Sequence, residues 1–197
     1  MRLIIGLGNP GVRYRFSRHN MGFLVLDQLA YDHKISLNQK GFDALFGKGR
    51  ISDAPVFLAK PQTFMNLSGV SVKKLIDFFK TDSKDMIVVH DDLDLPFNSI
   101  RIKAGNGHAG HKGLISIIKH LQDPNFIRIR LGIGKPPIKS MTEDYVLAPF
   151  AENEMKELAD VVMKGSDALT TIITSGVQIA MNKFNAKITD SQNIPDT

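Results

Sequence analysis

Apolar residues recur along the chain with two periods, and segments of one period alternate with segments of the other. Arg2–Leu7 is a short apolar run stopped by Gly8-Asn9-Pro10-Gly11, the pattern of a buried strand ended by turn residues. Over Met21–Tyr31, Phe23, Leu26, Leu29 and Ala30 fall at helical spacing. Strands are predicted over Ala44–Ile51 and Val56–Ala59. A helix follows over Val70–Phe79, with Val72, Leu75, Ile76 and Phe79 on one face and Ser68 as its N-cap. The scheme then repeats: strand Met86–Val89, alternating strand Ser99–Lys103, helix Leu114–Leu121 and strand Ile127–Ile133. Residues 136–149, with Pro136, Pro137 and Pro149, read as a loop, and Glu152–Phe184 as one or two helices interrupted near Gly165 or Gly176. The last ten residues are polar, contain Pro195 and have the composition of a frayed end.

Strands interleaved with helices predict an α/β fold, a single-domain mixed twisted β-sheet with helices packed on it, spanning 1–187 and followed by a polar tail over 188–197. In such sheets ligands gather at the carboxyl edges of the strands. A length of 197 residues with 43% hydrophobic content suits one well-filled core. Apolar runs are too short for a membrane span, and the N-terminal one is broken by glycines, so a cytoplasmic protein is expected. The lack of an apolar heptad or a sticky helix face points to a monomer.

Composition narrows the chemistry. With zero cysteines, disulfides, thiolate zinc sites and thiol nucleophiles are excluded, which leaves His, Asp, Glu, Asn, Ser and Lys. The net charge of +5 is uneven: residues 1–150 carry 21 Lys and Arg against 13 Asp and Glu, whereas residues 151–197 carry 4 against 7. The basic portion is the part suited to meet a polyanion.

Four motifs stand out. Gly6–Gly11 (GLGNPG) fits the glycine spacing of a dinucleotide site, but Pro10 lies inside the turn, and seven residues, Val12–Ser17 and Arg18, precede any helical spacing. No acidic residue ends a second strand about 20 residues on, so a nicotinamide cofactor is not expected. Arg18-His19-Asn20 places a titratable imidazole at the start of a helix. His90-Asp91-Asp92-Leu93-Asp94 sets three carboxylates just past an apolar strand. Gly105–Gly113 is a glycine-rich loop whose backbone can approach a ligand closely. His19 with an aspartate, and the carboxamides of Asn9, Asn20 and Asn66, would make a hydrolase that uses water: histidine takes the proton, aspartate orients the ring, and an amide N–H meets the oxyanion. No G-x-S-x-G elbow is present for a serine triad.

The combination of GLGNPG, RHN, TFMNLSG at Thr63–Gly69, HDDLDLP at His90–Pro96 and GHAGHKG at Gly107–Gly113 resembles bacterial-type peptidyl-tRNA hydrolase, over most of residues 1–134. The resemblance implies a metal-free, cofactor-free enzyme that cleaves the ester between peptide and tRNA and returns tRNA to translation. It implies His19 as general base, Asp91 as the aspartate that orients it, and Asn9 as a residue that helps reject unblocked aminoacyl-tRNA. Asn66 is implied to position substrate or the attacking water, Tyr14, Phe64 and Met65 to line the channel, and Lys103 and Arg130 to clamp the 5′-phosphate of tRNA. Lys112 departs from the family, which usually carries asparagine there; a lysine can donate to a carbonyl or pair with a phosphate. Two other readings are open: a non-catalytic RNA-binding paralogue of the same fold, and a metallohydrolase built on His108, His111 and the aspartates.

Overall fold

Successive residues of a strand face opposite sides of a sheet, and in β1 (Arg2–Gly6) both sides are apolar. Ile4 enters one buried cluster, Leu3 and Ile5 the other. A strand buried on both faces needs cover on both, and the helices supply it. The computed structural model describes residues 1–105 and 107–185.

After β1 come α1 (Met21–Asp32), the short β2 (Gln39–Gly41), β3 (Ala44–Ile51), β4 (Ala54–Pro61), α2 (Ser68–Phe79) and β5 (Met86–Asp92). The chain continues through β6 (Ile100–Ala104), α3 (Lys112–Leu121), β7 (Ile127–Gly132), α4 (Thr142–Leu147), α5 (Met155–Ser175) and α6 (Val177–Phe184). The seven strands form one mixed sheet in the order β2-β3-β4-β1-β5-β7-β6. The four central strands, β4, β1, β5 and β7, run parallel, while β2, β3 and β6 join through antiparallel pairs. Helices α1, α5 and α6 cover one face through Val25, Leu29, Val161 and Ala180, and α2 and α3 cover the other through Val72, Leu75, Leu114 and Ile117.

Beyond β5 the second face changes character. In β6 and β7 the apolar residues Ile100, Ile102, Ile129 and Leu131 all serve the first cluster. Their alternate positions carry Arg101 opposite Arg130 and Lys103 opposite Arg128. The sheet is therefore apolar on both faces at its centre and basic on one face at this edge. The outer edge itself is closed by Asn185, whose Oδ1 accepts from the Ile102 amide at 2.7 Å and whose Nδ2 donates to the Ile102 carbonyl at 2.8 Å.

Two glycine contacts fix the layers. A Cβ on Gly22 would overlap the Val89 carbonyl and the Leu7 backbone, and one on Gly6 would overlap the Gly22 carbonyl, so α1 starts in direct contact with β1 and β5. Likewise Gly69 lets α2 meet the Ser116 carbonyl of α3.

The α/β class, the mixed sheet and the order of the main elements agree with the sequence reading. Several local expectations do not. Strand β5 runs on to Asp92, with Asp91 paired to Leu131, so the carboxylates of this motif begin within the strand and not past its end. Residues 136–149 contain helix α4, whose first turn carries Glu143 and Asp144, and are not simply a loop. Ser68 is not an N-cap: a 3₁₀ turn over Met65–Leu67 precedes α2, and the Ser68 hydroxyl donates to the Met65 carbonyl at 2.9 Å. The break in the C-terminal helical region falls at Gly176, whose φ of 94° ends α5, whereas Gly165 lies inside α5 against Val25. The short strand β2 was not anticipated, and the tail over 188–197 lies outside the described residues.

Substituting Gly22→Ala should lower unfolding stability by about 3 kcal/mol or leave the chain unable to fold, since backbone and not a flexible side chain fills the space. Gly107→Ala, which meets nothing within 4 Å, should change stability by less than about 0.5 kcal/mol. Denaturant titration of both variants checks this, and similar midpoints for the two would refute the close-approach account.

Candidate active site

Three elements converge on one carboxylate. The 3₁₀ turn Arg18–Asn20, which leads into α1, brings His19; the penultimate residue of β5 is Asp91; the N-cap of α3 is His111. His19 Nδ1 lies 2.8 Å from Asp91 Oδ2 and 2.9 Å from Oδ1, and His111 Nε2 lies 3.1 Å from Oδ1. The two imidazole centroids are 5.0 Å apart.

The start of α3 settles the tautomer of His111. Its Nδ1 accepts from the amides of Gly113 at 3.1 Å and Leu114 at 3.3 Å, which are among the amides a helix leaves without internal partners. Since Nδ1 is an acceptor, the proton of the neutral ring is on Nε2 and points at Asp91. Asp91 is only 2% exposed. Burial alone would raise its carboxyl, but the charge and hydrogen bonds of His19 and His111 outweigh it and hold the group well below the usual carboxylate range. The anion in turn favours the His19 tautomer with its proton on Nδ1, leaving Nε2 as the basic nitrogen.

A second small network fixes the loop after β1. Asn20 Oδ1 accepts from the Asn9 amide at 2.8 Å and Asn20 Nδ2 donates to the Asn9 carbonyl at 3.0 Å, so Asn20 pairs with Asn9 as a neighbouring strand would. Asn9 Oδ1 accepts from the Met65 amide at 2.8 Å. With its oxygen committed, the Asn9 side chain has N–H donors left to offer.

These groups open into a cleft of about 1160 Å³. Asn9, Tyr14, His19, Phe64, Met65, Asn66, Asp91 and Lys112 line it, which brings together most of the residues singled out in the sequence. Asn20 does not: it is buried and acts on Asn9. Lys103 and Arg130 also stand apart from the lining, on the basic strand face, where Arg130 Nε donates to Asp92 at 2.6 Å. Lys112 pairs with Glu143 of α4 at 2.7 Å across the cleft. His111 is the residue the sequence reading assigned only to a metal. The available signal was its place directly before a helix, where a side chain that accepts from backbone amides is needed. Among the described residues His19, Asp91 and His111 are the one group whose donors, all within 4.8 Å of one another, could hold a metal ion; His108 is not part of it.

Next to Asp91, His90 is fully enclosed. Burial, reinforced by His111, pushes its imidazole down to about 3, and its Nδ1 donates to the Asp91 carbonyl at 2.6 Å.

The family model described as Peptidyl-tRNA hydrolase matches residues 3–192. A peptidyl-tRNA hydrolase of Citrifermentans bemidjiense is 47% identical over 186 residues, covering 94% of this chain and 98% of the relative. That of Bacillus subtilis is 44% identical over 188 residues, covering 95% of this chain and all of its own length. The crystal structure of peptidyl-tRNA hydrolase from Acinetobacter baumannii superposes with a TM-score of 0.89 at 37% identity, covering 94% of this chain and 95% of the other.

The depressed His90 imidazole has a consequence for stability against pH. A neutral ring in the fold against an ordinary value of 6.5 in the unfolded chain means that the unfolded state binds more protons below pH 6.5. The contribution is complete above that pH and is lost as pH falls toward about 3. Between pH 7 and pH 5 this group should remove about 2 kcal/mol of stability. Urea unfolding of wild type and His90→Gln at both pH values isolates it: the variant should show the smaller drop, and equal drops would contradict the assignment.

Proposed function

The chain belongs to the peptidyl-tRNA hydrolase family and hydrolyses the ester bond of peptidyl-tRNA, and from that premise we propose that His19 activates the attacking water as general base. The observation that carries this reading is the 2.8 Å contact between His19 Nδ1 and the buried Asp91 carboxylate, in a residue that also lines the cleft. Nε2 takes a proton from water as the oxygen bonds to the ester carbonyl carbon. The tetrahedral oxyanion then collapses, the bond to the ribose oxygen breaks, and that oxygen takes the proton back from the imidazolium. Asp91 stabilises the imidazolium between the two transfers, and His111 shares the Asp91 charge so that the carboxylate stays ionised. General-base catalysis of this kind is worth roughly 10²–10⁴-fold, without a cofactor.

Around this step the other residues take supporting parts. Asn66, exposed on the 3₁₀ turn Met65–Leu67, positions substrate or the attacking water with its amide. Asn9 offers a donor whose natural partner is the amide carbonyl of a peptide or blocked amino group; a free amine lacks that carbonyl, so unblocked aminoacyl-tRNA loses the contact. Phe64, half exposed beside Tyr14 and Met65, gives the channel an apolar wall for the peptide and terminal adenosine. Lys103 and Arg130 lie on the basic strand face, where they would hold a 5′-phosphate, and Asp92 keeps the Arg130 guanidinium in place. Such contacts act through charge and not base identity, which suits acceptance of many tRNAs. No helix among the described residues is long and apolar enough to cross a membrane. For an enzyme acting on this substrate we propose a cytoplasmic location beside the translation apparatus, and a cleft formed within one chain suits a monomer acting alone.

Release of peptide from an N-blocked aminoacyl-tRNA, beside its unblocked form, tests the base. His19→Ala should lower kcat by roughly 10²–10⁴-fold while tRNA still binds, and wild-type turnover by this variant would sink the reading. For the phosphate clamp, Arg130→Gln should reduce the slope of log(kcat/KM) against log salt by about 0.7 to 0.9. Lys112→Asn should change KM and salt dependence and leave kcat near wild type; no change in either would remove Lys112 from the substrate site.

A further inference from the structure

We propose that Arg18 is a positioning residue for the reaction: it fastens the turn that carries His19 to α4, the helix that walls the cleft, so that base and wall hold one relative geometry. The inference rests on the reading of His19 as the base. Arg18 is 8% exposed, and its neighbour in sequence is His19 itself. Its Nη1 donates to the Pro149 carbonyl at 2.8 Å, and Nη2 reaches both oxygens of Glu154 at 2.9 and 2.7 Å. The guanidinium carbon lies 4.3 Å from the Tyr145 ring centroid and 4.8 Å from that of Phe150. A buried cation flanked by two rings and paired with a carboxylate occupies a single geometry, because losing any partner would leave charge or polar groups unpaired.

The backbone repeats the connection. Ser17 forms an isolated antiparallel bridge with Pro149, the Arg18 amide donates to the Ala148 carbonyl at 3.2 Å, and the Phe150 amide donates to the Phe16 carbonyl at 3.1 Å. Just before this ladder, Val146 and Leu147 of α4 face the cleft, and the Tyr145 hydroxyl donates to the Ile133 carbonyl beyond β7 at 2.5 Å. Glu154 Oε2 also accepts from the Ala151 amide at 2.6 Å, which holds the carboxylate independently of Arg18. Thus the turn bearing the base, the cleft wall and the chain entering α5 meet at one guanidinium. A displacement of about 1 Å in a catalytic group can cost on the order of 100-fold in rate, which gives this fastening kinetic weight beyond stability.

The test compares single-turnover cleavage of N-blocked aminoacyl-tRNA at saturating enzyme, equilibrium binding of uncharged tRNA and thermal melting. The proteins are wild type, Arg18→Lys, Glu154→Gln, Glu154→Asp and His19→Ala. Arg18→Lys keeps the charge but cannot hold the Pro149 carbonyl and Glu154 on two separate nitrogens, and it loses the flat stacking surface. In folded protein it and Glu154→Gln should each lower the saturating rate 10- to 100-fold with tRNA binding within twofold of wild type. Glu154→Asp should recover part of the rate lost in Glu154→Gln. Wild-type saturating rates in folded Arg18→Lys and Glu154→Gln, or a loss confined to KM, would overturn the proposal. Should Arg18→Lys not fold, Tyr145→Phe keeps the stacking face and Tyr145→Leu removes it, both lose the hydroxyl bond to Ile133, and both leave the ion pair. Tyr145→Leu should show the same split with a smaller loss that exceeds that of Tyr145→Phe, and an unchanged rate in Tyr145→Leu counts against the proposal. Full activity in His19→Ala would instead overturn the base assignment, whereas an inert His19→Ala beside an unimpaired Arg18→Lys would overturn the fastening alone.

Discussion

A carboxylate 2% exposed at the end of a parallel strand stays ionised only if neighbouring groups replace the water it has lost. For Asp91 the replacements are two imidazoles, one from the turn before α1 and one from the N-cap of α3. Helices α1 and α3 lie on opposite faces of the sheet, so this anion is where both layers are tied to the strand between them. The same demand explains the close glycine contacts. Without Gly22 the helix following His19 would stand off the sheet, and without Gly113 the start of α3 would press on Met65 and the His111 ring.

Chemistry and architecture are joined in the neighbouring strands as well. Alternation in β6 and β7 sends apolar residues to one cluster and Arg101, Lys103, Arg128 and Arg130 to the other side, beyond the cover of α2 and α3. Cations set side by side on adjacent strands repel one another. Burial and the adjacent Arg130 lower the Arg128 guanidinium, and Asp92 offsets the charge of Arg130. A polyanion bound along this face would relieve the same repulsion.

Much of this could be read in the sequence because the period of the apolar residues is a local property. The helix over Met21–Tyr31 was predicted within one residue of its observed end, and the class of fold followed from the order of strands and helices. That His19, Asp91 and Asn9 line one cleft could be anticipated for another reason, since each sits in a short motif at a strand end or helix start. Most of the misses depend on partners distant in sequence. His90 to Asp92 look like a polar turn until β7 pairs with them through Arg130, Leu131 and Gly132. Asn20 read as a substrate contact because nothing nearby showed that its amide is spent on the Asn9 backbone 11 residues earlier. Helix α4 is bracketed by prolines and only six residues long, too short to display a period. His111 was read only as a metal ligand because its partner, Asp91, lies 20 residues away.

The closure of β6 by Asn185 has a consequence for the protein among its own copies. An open edge strand offers amides and carbonyls to any other extended chain and is a template for aggregation. Here one side chain occupies both the N–H and the C=O of Ile102, at the middle of the strand, and Arg101 and Lys103 flank it with charge that a second copy would also carry. At the far edge β2 is only three residues long and presents exposed Gln39 and Lys40. Both margins of the sheet thereby discourage the addition of a strand from a second copy.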